Sequence, residues 1–265
     1  MDWSKIKTIF ILTFLILDVY LLFQFMKIRD ANKLEVITEA SFEEKLKADE
    51  IKYVDIPKDP IQAQYLSAKP KVFTKDDADQ LKGQKVVLEG TGTTLLAALE
   101  EPLPVSSKFV PADLSAFLKD QVLFGDDYQF GEKSDKDKTI TYFQQSENFP
   151  LFKNINGMIT FKLDAANQIV SYEQTFLEEM EKLLAKEEIL PPLKGIETLH
   201  QKGMLRSKSK ITKIELGYST LIQLAASQVL APTWRFEVDG KESLFVNAFE
   251  GQIIQFNSDE NSKVE

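Results

Sequence analysis

The stretch "TWRFEVDGKESLFVNAFEGQIIQF", residues 233–256, decides how this chain is built. Trp234, Phe236 and Val238 alternate with Arg235 and Glu237, the period-two pattern of a strand with one apolar face. Asp239-Gly240 then supplies two residues that tolerate positive φ, as a primed hairpin turn requires. "SLFVNAF" (243–249) returns as a second strand, and Gly251 leads into "QIIQF". Alternation with tight turns means antiparallel sheet, covered on one face and wet on the other.

The same grammar recurs upstream. Ile159, Phe161 and Leu163 alternate with Thr160 and Lys162. In "ITKIELGY" (211–218), Thr212, Ile214, Leu216 and Tyr218 share a face. "ITFKLDAANQIV" (159–170) echoes "LFVNAFEGQII" (244–254): in each, a residue suited to positive φ, Asn167 or Gly251, precedes Gln and two β-branched residues. A duplicated unit and convergent hairpin chemistry both account for the echo.

Helix starts are read from capping chemistry. Ser41 with Glu44, Thr74 with Asp77, and Thr175 with Glu178 each place a hydroxyl three residues before a carboxylate. Gly83 suits a left-handed helix end. The third box opens the strongest apparent helix, with Phe176, Met180, Leu183 and Leu184 at helical spacing and Pro191-Pro192 as its stop. The Pro-rich "EEPLPVSSKFVPAD" (100–113) reads as a connection and places a boundary near residue 110. "GEKSDKDK" (131–138) reads as a solvated loop, and the tail after Phe256 as frayed.

Composition narrows the function. Of 265 residues, 43% are hydrophobic and 11% aromatic, enough for a packed core. The net charge is −9. Residues 1–30 contribute four cations (Lys5, Lys7, Lys27, Arg29) against three aspartates, +1, so the remainder carries −10. Such a body has no field for nucleic acid, which needs clustered Lys and Arg. The absence of cysteine excludes disulfides, thiolate metal sites and cysteine nucleophiles.

Candidate chemistry is sparse. His200 is the single histidine and has no metal-ligand spacing around it. The acidic clusters Asp76-Asp77-Asp79, Asp126-Asp127 and Glu178-Glu179-Glu181 suit helix starts better than a paired-carboxylate cleft. "GTGTT" (90–94) lacks the lysine ending of a phosphate loop and reads as a turn. The expectation is a protein that is not an enzyme, with no catalytic residue, cofactor or metal. The alternatives are a membrane-tethered wall-associated enzyme or inhibitor using His200 or the acidic clusters, and an extracellular ligand-sensing module.

The N-terminus carries the most distinctive stretch. "TIFILTFLILDVYLLFQFM" (8–26), a predominantly apolar run, is close to the ~20 residues a helix needs to cross a bilayer. Bulky and charged residues follow it rather than a small-x-small cleavage site, so it reads as an uncleaved anchor. Asp18 lies at its centre, where a carboxylate costs about 2.5–3.5 kcal/mol and is normally held by a partner or cavity. It shares a helical face with Ile11, Phe14, Leu15, Leu21, Leu22 and Phe25, the candidate transmembrane interaction surface.

"MDWSKIKTIFILTFLILDVYLLFQF" (1–25), "ELGYS" (215–219) and "LAPTWRFEV" (230–238) resemble the YycI (WalI) family. The resemblance implies a single-pass protein of the cell membrane of low-GC Gram-positive bacteria, N-terminus cytoplasmic and C-terminal body extracellular. It implies association with a YycH-family protein and the sensor histidine kinase WalK (YycG), the transmembrane helix contacting the kinase helices. Its expected role is to modulate the WalK/WalR two-component system that controls cell-wall metabolism; partners are those proteins and the lipid bilayer. The expected fold is α+β. A tail (1–7) and transmembrane helix (8–26) precede an extracytoplasmic body of antiparallel sheets with packed helices. Two subdomains are expected, 31–110 and 111–258, the second PepSY-like in outline, before the tail 259–265.

Overall fold

A computed structural model describes residues 3–57, 59–106, 109–224 and 226–256, with the side chains of 4–6, 8–9, 23 and 25–41 left aside. Two compact units partition the chain: Met1–Lys52 with Leu205–Lys210, and Tyr53–Met204 with Ile211–Glu265. The 259–265 tail lies outside the described residues.

The first unit is built on α1 (Trp3–Ala48), one uninterrupted helix of 46 residues. Ser41 therefore lies within a helix instead of starting one. The helix ends as a Schellman motif. Glu50 takes φ 56° and its N–H reaches the Lys47 carbonyl at 3.1 Å, while the Ile51 N–H reaches Leu46 at 2.9 Å. Leu46 and Ile51, the apolar pair that accompanies such an end, are both buried. Lys45 and Lys47 place positive charge at the negative end of the helix dipole. Strand β1 (Lys52–Tyr53) follows, and the 205–210 segment is tied on by Lys208 N–H to Asp49 O (2.9 Å) and Lys52 N–H to Ser209 O (3.1 Å).

The second unit begins with β2 (Gln62–Pro70), α2 (Lys75–Asp79), β3 (Gln84–Glu89) and β4 (Thr94–Pro104). Helix α3 (Ser115–Gln121) precedes β5 (Tyr128–Ser134), β6 (Thr139–Ser146), β7 (Phe149–Pro150), β8 (Met158–Leu163) and β9 (Gln168–Gln174). Then come β10 (Leu177–Glu188), α4 (Pro192–Gln201), β11 (Lys210–Gln223), β12 (Gln228–Val238), β13 (Glu242–Asn247) and β14 (Ile253–Ile254). The α+β class with antiparallel sheets is as expected.

One sheet has the order β3-β4-β9-β8-β6-β5, with β7 on β6; the other runs β11-β12-β13-β14, with β2 beside the start of β12 and β10 outside β2. In the first, Ile159, Phe161, Ile169 and Tyr172 meet Leu114 and Leu118 from around α3 in one core. In the second, Trp234, Phe236 and Val238 are buried, but so are Thr233 and Arg235 at the alternate positions, so the face of β12 expected to be wet is covered as well; Asp239 and Gly240 have φ 54° and 66°. The two sheets touch where the Phe152 N–H donates to Tyr218 O at 2.7 Å. Gly217 permits this approach, since a Cβ there would lie 2.4 Å from Pro150 O. Gln144 acts like a missing strand residue, its side-chain amide exchanging two hydrogen bonds with the Leu177 backbone, both 2.7 Å.

Several local expectations need correction, among them the 131–138 loop, whose residues 131–134 are the end of β5. Residues 177–188 form a strand paired with β2, not a helix. A bulge between Glu178 and Glu181, with Glu179 at φ 51°, shifts the pleat by one residue and turns both Leu177 and Met180 toward one cluster. Spacing of three along a bulged strand thus imitates a helix. Thr175 does not cap: its hydroxyl donates to Ile155 O at 2.8 Å and accepts from Met158 N–H. Pro191-Pro192 opens α4 instead of closing a helix, because a first-turn proline forfeits no internal hydrogen bond. In the Pro-rich stretch, Leu103 and Pro104 still pair with Ile169 and Gln168 as the end of β4. The Thr74 box does form, with Thr74 N–H to Asp77 Oδ2 at 2.8 Å and Asp77 N–H to Thr74 Oγ1 at 3.2 Å.

Candidate partner-binding surface

On α1, Phe14, Leu15, Asp18, Leu21 and Leu22 are all exposed and follow one another at the spacing of a single helical face, with Ile11 one turn earlier. The side chain of the sixth predicted residue, Phe25, lies outside the described ones. Exposure does not stop at that face. Phe10, Leu12, Ile16, Leu17, Val19 and Tyr20 are uncovered as well, so apolar surface wraps the helix. Local contacts include the Phe10 and Phe14 rings, stacked at 6.4 Å, and Gln24 Nε2 donating to the Tyr20 hydroxyl at 3.3 Å. Lys7 sits 5.2 Å above the Trp3 ring, a cation–π contact at the helix start.

Among the described residues, no helix is long and apolar enough to cross a membrane. What those residues present is an all-round apolar cylinder with one carboxylate. In water such a surface is unfavourable by roughly 25 cal/mol per Å². It calls for apolar surroundings, and Asp18 is the one charged residue in 10–22.

The other candidate residues lie on separate elements. His200 lies half-buried in the last turn of α4. Asp77 is spent on the α2 cap. Glu178 and Glu179 pair with Lys71 and Lys69 on β2 and just beyond it. Asp127, in a tight turn at 125–127, has its carboxyl raised above the usual range by burial and then by the neighbouring Asp126. Among the described residues, no group of three or more His, Cys, Asp or Glu is placed to hold a metal ion.

Sequence reasoning missed a second apolar surface. Leu221, Ile222 and Leu224, at the tip of the β11–β12 hairpin, are exposed at 42%, 49% and 52%. The available signal was the run 216–234, which holds no charged residue.

Comparison with known proteins adds the family. No curated protein matches the chain. Among solved structures, an uncharacterized protein from Eubacterium rectale aligns at 11% identity and TM-score 0.45, covering 78% of this chain and 89% of that one. YycH from Bacillus subtilis aligns at 15% identity and TM-score 0.46, over 74% of this chain and 54% of that chain. The Bacillus megaterium YpeB C-terminal domain aligns at 13% identity and TM-score 0.38, over 70% of this chain and all of that one. The family model described as YycI protein matches residues 31–249, which hold every strand but β14, and the chain belongs to the YycI family.

Proposed function

We propose that this chain is a non-enzymatic, membrane-anchored regulator of the two-component system that controls cell-wall metabolism. It associates with a YycH-family protein and with the sensor histidine kinase WalK. The observation that carries this reading is family membership over residues 31–249. The exposed apolar surface of α1 supports the anchor. Residues 8–26 cross the bilayer once, with the short N-terminal tail in the cytoplasm and the body outside.

In that setting Asp18 is the recognition group. Buried in hydrocarbon it is unfavourable unless a neighbouring helix supplies a donor. The segment offers no Gly, Ala or Ser for close packing, so polar contact is its means of holding another helix. Asp18→Leu is expected to reduce co-purification of the kinase from membranes several-fold and to alter the output of the regulated genes. Unchanged recovery together with unchanged output removes Asp18 from the mechanism. Because the chain has no cysteine, single cysteines at Lys7 and in the body report orientation directly through an impermeant thiol reagent.

A further inference from the structure

The edges of the two sheets are built differently. β10 ends its sheet as a strand of 12 residues, but most of them are charged and its register against β2 slips twice. Glu179 and Leu184 on it take φ 51° and 61°. β5 carries a register shift between Phe130 and Glu132, and β1 and β14 are each 2 residues long. Bulges and brevity are devices that stop an edge from pairing again. β3, the last strand of its sheet, has neither: its 6 residues run against β4 without a shift.

One hydrogen bond fixes which groups β3 turns outward. Glu100 N–H donates to Gly83 O at 3.0 Å, one position before the Gln84–Leu99 pair. Exchange with β4 therefore falls to the odd-numbered residues, and the N–H and C=O groups of Gln84, Val86 and Leu88 point away from the sheet. The side chains of Lys85, Val87 and Glu89 stand exposed on one face, while Val86 and Leu88 pack, partly buried, against the core on the other.

Such an edge accepts an antiparallel strand, and β3 is its own complement. About a two-fold axis through Val87, Val86 faces Leu88 of the other copy, twice, and each of these pairs exchanges both of its backbone hydrogen bonds. On the exposed face Lys85 meets Glu89 of the other copy, twice, and Val87 meets its own counterpart. Opposite charges thus flank an apolar centre, and the inner face stays apolar. Moving the axis to Val86 adds the Gln84 backbone groups but sets Lys85 against Val87, Gln84 against Leu88 and Glu89 against Gly83. The side chains decide for Val87. A contact of this length is far below the roughly 20–30 residues a side of a standard interface. It is weak between free molecules and gains its strength where copies share one bilayer, which raises their effective concentration.

We infer that two copies of this chain pair through β3, antiparallel about Val87, and so join their first sheets edge to edge in the membrane. This rests on the anchor proposed above, and on neither the kinase nor the YycH-family protein. The test uses the full chain in washed membranes. Residues that face each other on the axis lie about 4.5–5.5 Å apart at Cα, inside the range of about 4.4–6.8 Å that a disulfide spans. In this cysteine-free protein, Val87→Cys is therefore expected to link two copies under mild oxidation. Leu184→Cys on β10, more exposed at 76%, is expected not to. Lys85→Glu added to Val87→Cys is expected to cut the linked fraction several-fold, and adding Glu89→Lys as well to restore it. Both positions are exposed, so neither change disturbs the core. Absent linking at 87, equal linking at 87 and 184, or linking to another protein overturns the pairing and leaves the anchor standing. So does linking that ignores the charge change or is not restored by the exchange. A chain lost from the membranes on washing overturns both.

Discussion

The two meanders of the second unit solve one problem in two ways. In each, a helix precedes four antiparallel strands in simple order: α3 before β5-β6-β8-β9, and α4 before β11-β12-β13-β14. The last hairpins correspond closely. Asp164 N–H donates to Gln168 O in one (2.9 Å) and Asn247 N–H to Gln252 O in the other (2.8 Å). Side-chain oxygens of the same two residues accept from turn N–H groups. Asn167 at φ 59° and Gly251 at φ 69° close the turns. The helix contacts, however, are opposites. Phe117 from α3 fills its gap edge-on against Phe161 and Tyr172, whereas α4 comes close enough that a Cβ at Gly195 would lie 2.6 Å from the Phe236 ring. The architecture constrains the backbone path and the turn chemistry; it leaves open whether volume comes from the helix or from the sheet.

That contrast breaks most visibly at the two contacts. Phe161→Ala empties a fully buried site and is expected to cost about 3–5 kcal/mol. Gly195→Val overfills the other contact and is expected to cost about 1–3 kcal/mol. Denaturant unfolding of the solubilised chain, with hydrogen exchange to say which sheet opens, ranks them; an equal cost for both would erase the distinction.

Alkaline pH sharpens the comparison further. Tyr128, Tyr142 and Tyr172 all belong to the first meander, and burial raises each hydroxyl above its usual 10.0, Tyr142 to about 12. Tyr218 is the raised tyrosine of the second meander. The folded state keeps protons that the unfolded state releases, so the contribution is complete below pH 10 and declines as pH rises. Each such hydroxyl removes about 1.4 kcal/mol per pH unit while that difference lasts. Between pH 10 and 12, exchange in β5, β6 and β9 is expected to accelerate before exchange in β11 and β12. Simultaneous opening would show that the sheets unfold as one. The smallest effect is at the turns. Gly251→Ala is expected to cost about 1–2 kcal/mol through its left-handed backbone, and Asn167→Gly to stay within about 0.5 kcal/mol, both read from melting curves.

These differences also explain what could be read beforehand. Strands with simple alternation, such as 159–163, and turns with committed residues, such as Asp239-Gly240, carry their own signal; in 234–238 the alternation located the strand but not the cover over Arg235. The 177–188 strand did not, because a bulge changes the period by one residue and only pairing with β2 reveals it. The exposed residues of α1 were legible because their run is long and interrupted by one acid. Leu221, Ile222 and Leu224 were not: in "STLIQLAASQVLAP" (219–232) they resemble the buried Leu230 and Ala231, and only the fold separates inside from outside. The absence of charge over that run marks the region but not its direction.

The uninterrupted course of α1 has an angular consequence. Asp18 and Leu46 lie on one continuous helical thread, so their bearings about its axis are locked to each other. Every residue inserted between them turns one against the other by about 100° and lengthens the thread by about 1.5 Å. The heading of a single carboxylate is thereby written into the number of residues in a segment that need not touch any partner at all.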